Sequence, residues 1–117
     1  MNRYKELLVW QKAIDLAVEV YQITEKLPKE ERYGLISQIN RSAVSIPSNI
    51  AEGAGRNTNK EFNNFLGIAQ GSSFELDTQL IISNRLNFIS NDEYQKIELQ
   101  LEYIQNMVAK LKKSLNV

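Results

Sequence analysis

Residues Gln38 to Arg56 read QINRSAVSIPSNIAEGAGR, and how this stretch is read decides the fold. Ile39, Ala43, Ile46, Ile50 and Ala54 recur at steps of three and four, the spacing that lines one face of an α-helix. Pro47 falls inside the pattern. A proline in a helix interior removes the amide that would bond four residues back and crowds that carbonyl, at a cost of about 3 kcal/mol. The periodicity nevertheless runs on across it, so one helix kinked between Ala43 and Pro47 is expected, with Ser42 or Ser45 bonding the freed carbonyls. Gln38, Arg41, Ser45, Asn49, Glu52 and Arg56 line another face. Most of them are short or uncharged, whereas a solvated face usually carries longer charged residues. The composition suits a polar seam between helices or subunits, or the wall of a wet channel, in which each group must find a partner.

Outward from this helix the chain reads as three more. Gly53 or Gly55 is expected to close the second helix in a left-handed conformation. Thr58 with Glu61 makes a capping box that opens the third after a short connection, so the two helices should be antiparallel neighbours. The third helix should reach Asn87 with Phe62, Phe65, Leu66, Ala69, Leu76 and Leu80 facing inward, and Ser73 and Ser83 in the same stripe. Gly67 and Gly71, four apart, would admit close approach of a neighbouring helix. Ser90 with Glu93 makes a second capping box, and the fourth helix should run to Leu115 on a seam of Tyr94, Ile97, Leu101, Ile104, Val108, Leu111 and Leu115.

On the N-terminal side, a first helix is expected from Leu8 to Leu27, stopped by Pro28, and the second should begin near Tyr33. The first helix carries two apolar stripes. Trp10, Ala13, Ile14, Ala17, Val18 and Tyr21 form one; Val9, Leu16, Val20, Ile23 and Leu27 form the other, giving an apolar arc of about 220°. A bundle helix needs about half of that, so Val9, Leu16, Val20, Ile23 and Leu27 are the candidate oligomer interface. The resulting fold class is all-α: an antiparallel up-down-up-down four-helix bundle, the second helix kinked near Pro47, in a single domain spanning 1–117.

Composition narrows the function. There is no Cys and no His, which removes thiolate metal sites, the usual general base at neutral pH and the commonest metal ligand. No phosphate-cradling glycine loop or nucleophile elbow is present. The remaining catalytic reading, a carboxylate pair of Glu52 and Glu75, requires that the fold bring the two together. No cofactor, metal or small-molecule substrate is implied. Lys and Arg together number 14, as do Asp and Glu, so whole-molecule charge attracts neither nucleic acid nor membrane. Arg41, Arg56 and Lys60 are the candidate RNA contacts. Without a signal-like leader or a membrane-length apolar run, a cytoplasmic protein is expected.

Three motifs in order, Val9 to Ala13 (VWQKA), Ser45 to Gly53 (SIPSNIAEG) and Phe65 to Ser72 (FLGIAQGS) followed by Glu75-Leu76, resemble the bacterial family named for open reading frames in 23S rRNA intervening sequences. The resemblance implies a four-helix bundle assembled as a ring, a homopentamer. It also points to accessory proteins of diversity-generating retroelements, which form similar barrels and associate with a reverse transcriptase and nucleic acid. The function expected is therefore a non-enzymatic oligomeric scaffold or adaptor, whose partner is a copy of itself. The alternative is an accessory protein that binds RNA or a nucleoprotein, linked to ribosomal RNA or a reverse transcriptase.

Overall fold

The computed structural model describes residues 3–117. Its regular structure is α1 Leu8–Thr24, α2 Leu35–Ala54, α3 Asn59–Arg85 and α4 Asn91–Ser114, with single 3-10 turns at Tyr4–Glu6 and Lys29–Glu31; the described residues contain no strand. Side-chain contacts fix the topology. Ser45 meets Ser72 and Gly53 meets Phe65 across α2 and α3. Lys112 reaches Asn63 and Gln105 reaches Ser73 across α4 and α3, while Lys26 reaches Glu93 and Gln100 reaches Glu19 across α1 and α4. In every pair one residue number rises as the other falls, so each neighbour is antiparallel. The diagonal helices do not pack on each other, which makes this the up-down-up-down bundle that the sequence predicts, 43 × 24 × 21 Å in extent.

Helix ends follow local chemistry. Ser90 Oγ accepts the Glu93 amide at 3.1 Å and Glu93 Oε1 accepts the Ser90 amide at 2.9 Å, a complete capping box at the start of α4. At α3 only half of the box forms: Thr58 Oγ1 accepts the Glu61 amide, but the Glu61 carboxylate accepts the Thr58 hydroxyl instead of its amide. α1 stops at Thr24, short of Leu27, because Lys26 and Leu27 tighten into i to i+3 bonds that still deliver Leu27 to the core. α2 starts at Leu35 and leaves Tyr33 in solvent.

Neither Gly53 nor Gly55 closes α2 in a left-handed conformation. No described glycine has positive φ, and Gly55 remains right-handed at φ −79°. The left-handed closing residues are Asn87 after α3, at φ 65°, and Asn116 after α4, at φ 55°. At the end of α3 the Phe88 amide bonds Ser83 O at 2.8 Å and the Asn87 amide bonds Asn84 O at 3.0 Å, the paired bonds of a Schellman ending.

α2 runs unbroken through Pro47. Ser45 does not return its hydroxyl to a freed carbonyl as expected; it turns to Ser72 instead. The role of Gly53 is spatial. A Cβ there would lie 2.7 Å from Phe65 Cβ and 2.9 Å from Phe62 Cδ1, so α2 and α3 approach across it. Gly67 and Gly71, expected to admit a neighbouring helix, do not: Gly71 has nothing within 4 Å and Gly67 faces only the tip of Lys112.

One hydrophobic core joins the four helices, filled by Leu16, Ile39, Ile46, Ile50, Leu76 and Ile97 among others. The two stripes of α1 exchange roles relative to the sequence expectation. Val9, Leu16, Val20, Ile23 and Leu27 are at most 8% exposed and belong to this core, so they are not available as an interface between copies. The outward stripe is the other one. Ala13 and Ala17 are buried, Trp10 and Ile14 are half-buried, and Val18 and Tyr21 are exposed, Val18 by 55%. The reason is volume: the branched stripe fills the space between four helices, and the alanines let α1 close on α2 without adding bulk.

Candidate partner-binding surface

The polar line on α2 faces the α3 flank, and its middle is bonded. The hydroxyls of Ser45 and Ser72 are 2.8 Å apart, and Asn49 Nδ2 donates to both Ser45 Oγ (2.9 Å) and Ser45 O (2.8 Å). Each of these side chains is thereby engaged within the molecule, in half-buried surroundings. One turn on, Glu52 pairs with Arg56 at 3.1 Å, and the Arg56 guanidinium lies 4.9 Å from the centre of the Phe65 ring. Gln38 lies at the far end and lines a groove with Gly71, Phe74, Glu75, Thr78, Gln79 and Ile82 of α3. Arg41 is exposed and has no salt bridge among the described residues.

The RNA candidates are not brought together. Arg56 lies in the α2–α3 connection and Lys60 just past it, but Arg41 is thirteen residues before the end of α2 at Ala54, about 20 Å along the helix axis. The carboxylate pair is also separated. Glu52 lies at the Phe65 end of α3 with Arg56, whereas Glu75 lines the Gln38 groove, ten residues away along α3 and about 15 Å by helical rise. No group of three His, Cys, Asp or Glu side chains among the described residues is disposed to hold a metal ion. No helix among them is long and apolar enough to cross a membrane.

Two apolar faces are open to solvent; the sequence reading saw the α1 part of the first only as one of two apolar stripes and did not single out the second. The first lies between α1 and α2, where the half-buried Trp10 and Ile14, the exposed Val44 and the buried Pro47 line an open groove. Tyr4 covers its edge, packing edge-on against Trp10 at 5.3 Å between ring centres. The second runs along α3 as Ile68, Phe74, Ile82 and Leu86, all exposed, Phe74 by 57%. These four share one side of the helix with Gly71 and Thr78. Beside them the buried Gln79 Oε1 has no hydrogen-bond partner. Their spacing was readable, but a second apolar set on a helix that already has a core stripe is hidden among polar neighbours.

Polar chemistry elsewhere joins helices. The Glu93 carboxyl is held below the usual carboxylate range, chiefly by its hydrogen bond from Lys26 and then by the Ser90 amide. Burial pushes the Glu19 carboxyl up, but the Gln100 hydrogen bond and Lys96 together outweigh it and leave it lowered. Tyr94 donates toward Asp77 (2.8 Å) and Glu98 (2.9 Å); burial first, and then these two carboxylates, raise its phenol far above the ordinary value.

No curated protein matches the chain by sequence. The structure is similar to the 1.70 Å crystal structure of a protein of unknown function from the S23 ribosomal protein family of Bacteroides thetaiotaomicron VPI-5482. The TM-score is 0.84 at 26% identity, over 91% of this chain and 99% of that one. The model of the 23S rRNA-intervening sequence protein family matches residues 5–110, a span that contains all three sequence motifs and most of the four helices, and the chain belongs to that family.

Proposed function

We propose that the protein is a non-enzymatic homo-oligomeric scaffold whose subunits pair the α1/α2 face of one copy with the α3 face of the next. The observation that carries this reading is the presence of two different apolar faces on one small bundle. An isologous dimer would cover only one of them, whereas a head-to-tail contact covers both and closes into a ring when the rotation allows. The faces flank α2 on adjoining sides of a four-helix bundle, so they point apart by about a right angle. That disposition suits a small ring, and five copies is the number that the family resemblance implies.

Light scattering coupled to size exclusion at micromolar concentration tests the assembly. A mass five times that of the chain is expected; a mass of one chain throughout would overturn it. The absence of His, the bonded state of the α2 polar line and the separation of Glu52 from Glu75 support a role in assembly over one in catalysis.

A further inference from the structure

Over the whole chain fourteen basic residues cancel fourteen acidic ones. Placed on the bundle they do not cancel. The Ser45–Ser72 contact marks the middle of α2 and α3, and the Ser73–Gln105 and Glu19–Gln100 bonds carry that level to α4 and α1. Residues 3–18, 45–72 and 104–117 then make up one half, with eight Lys and Arg against four Asp and Glu. Residues 19–44 and 73–103 make up the other, with six against ten. The halves therefore carry formal charges of about +4 and −4.

Each half holds two ion pairs among the described residues: Lys26–Glu93 at 2.7 Å and Lys96–Glu19 at 3.1 Å in the acidic half, Arg3–Glu6 at 3.6 Å and Arg56–Glu52 at 3.1 Å in the basic half. The unpaired cations of the acidic half are outnumbered by carboxylates around them, whereas those of the basic half are not. In the basic half, Lys60, Lys110 and Lys113 are exposed and make no salt bridge among the described residues. Lys112 Nζ donates to Asn63 O at 3.0 Å, which seats the last turn of α4 against the N-terminal part of α3 and so sets Lys60 on the same end of the bundle as Lys110 and Lys113. Arg41, one of the RNA candidates, falls in the acidic half.

We infer that this basic end, centred on Lys60, Lys110 and Lys113, binds the phosphate backbone of a nucleic acid without reading its sequence. Long, exposed ammonium stems on two helices suit an extended polyanion rather than a compact phosphate, which favours converging donors. Each phosphate neutralised releases condensed counterions, so affinity comes from the local cluster and is indifferent to the zero net charge of the chain. The acidic end is repelled, so the bundle meets the nucleic acid end-on. In a ring whose bundles lie along its axis, all basic ends share one rim and the contacts multiply.

Fluorescence anisotropy with a labelled single-stranded polyuridine RNA and a labelled DNA duplex tests the inference on the full chain, between about 50 and 200 mM salt. Both probes should bind. Three lysine contacts give a log–log salt slope near −2 for the single strand, per subunit engaged. Lys110→Glu with Lys113→Glu, and separately Lys60→Glu, should each weaken binding about tenfold or more at the lower salt, while Lys29→Glu at the acidic end changes it less than about twofold. Thermal melts of each variant confirm that the bundle is intact, and light scattering in the same buffer reports assembly independently. No binding at the lowest salt, equal losses from Lys29→Glu, or preferential binding to phosphatidylserine vesicles over both probes would overturn the assignment.

Discussion

Gly53 lies against Phe65 so closely that a methyl group at its Cα would be 2.7 Å from Phe65 Cβ, a separation that carbon atoms do not tolerate. This contact sets the distance between α2 and α3 and explains why the SIPSNIAEG segment ends in glycine. Gly53→Ala gains about 1 kcal/mol of helix propensity but forces the helices apart. Overpacking costs about 1 to 3 kcal/mol, so net destabilisation is expected in urea unfolding. Gly67→Ala is the counterpart. Its Cβ would be 3.4 Å from Lys112 Nζ, the far end of a flexible side chain, so the propensity gain should survive and the variant should be more stable by up to about 1 kcal/mol.

The Ser45–Ser72 hydroxyl pair should behave as a coupled unit. Ser72→Ala removes one hydrogen bond beside the core, but Ser45 Oγ still accepts from Asn49, so no orphan group results. A loss of about 1 kcal/mol is expected. Ser45→Ala leaves the buried Ser72 hydroxyl without this partner and should cost more, about 1 to 3 kcal/mol. The double variant should cost less than the sum of the two, and additive losses in denaturant unfolding would show that the pair is not coupled.

How much of this was legible in the chain depends on the length scale of the physics involved. Four helices, their order and both capping residues, Thr58 and Ser90, follow from local spacing and local hydrogen bonds, and the structure places them as read. The direction of α1 was not local. Its two stripes are both apolar, and which of them meets the core depends on the volume left by three other helices. Val20 faces inward and Val18 outward for that reason alone. The glycines show the same limit. Gly53 and Gly71 are equivalent as letters, yet only Gly53 has aromatic neighbours across a helix pair. Of the polar line on α2, its alignment was readable, while the pairing of Ser45 with Ser72 required the register of α3.

Acid should weaken the α1–α4 junction. Glu93 and Glu19 have folded values below the ordinary carboxyl value of 4.5, so the unfolded chain binds more protons than the folded one in acid. The stability they contribute is complete above that ordinary value and is lost as pH falls through the lowered folded values. Glu93→Gln keeps an oxygen to accept the Ser90 amide while removing the charge that Lys26 meets. It should lower stability at neutral pH by at most about 1 kcal/mol, since Lys26 is largely exposed, and the fall in stability below the ordinary glutamate range should be shallower than in the parent. Urea midpoints measured across acid to neutral pH provide the check, and parallel profiles would contradict the assigned role.

The two apolar faces make the mode of assembly testable apart from its size. Val44→Glu places a charge in the α1/α2 face, and Phe74→Glu places one in the α3 face; both positions are exposed, so neither change disturbs the core. If one face binds the other, each variant alone is defective at every junction, and self-association should weaken by at least about a hundredfold. Mixed together, the variants retain one intact combination: the α3 face of the Val44→Glu chain against the α1/α2 face of the Phe74→Glu chain. The mixture should therefore form a heterodimer that neither variant forms as a homodimer, and the junction cannot propagate further. An isologous interface behaves differently, because damage to the face that pairs with itself abolishes assembly while damage to the other face leaves the dimer intact. Light scattering of the two variants and their equimolar mixture separates these cases, and a Phe74→Glu chain that assembles like the parent would remove α3 from the interface.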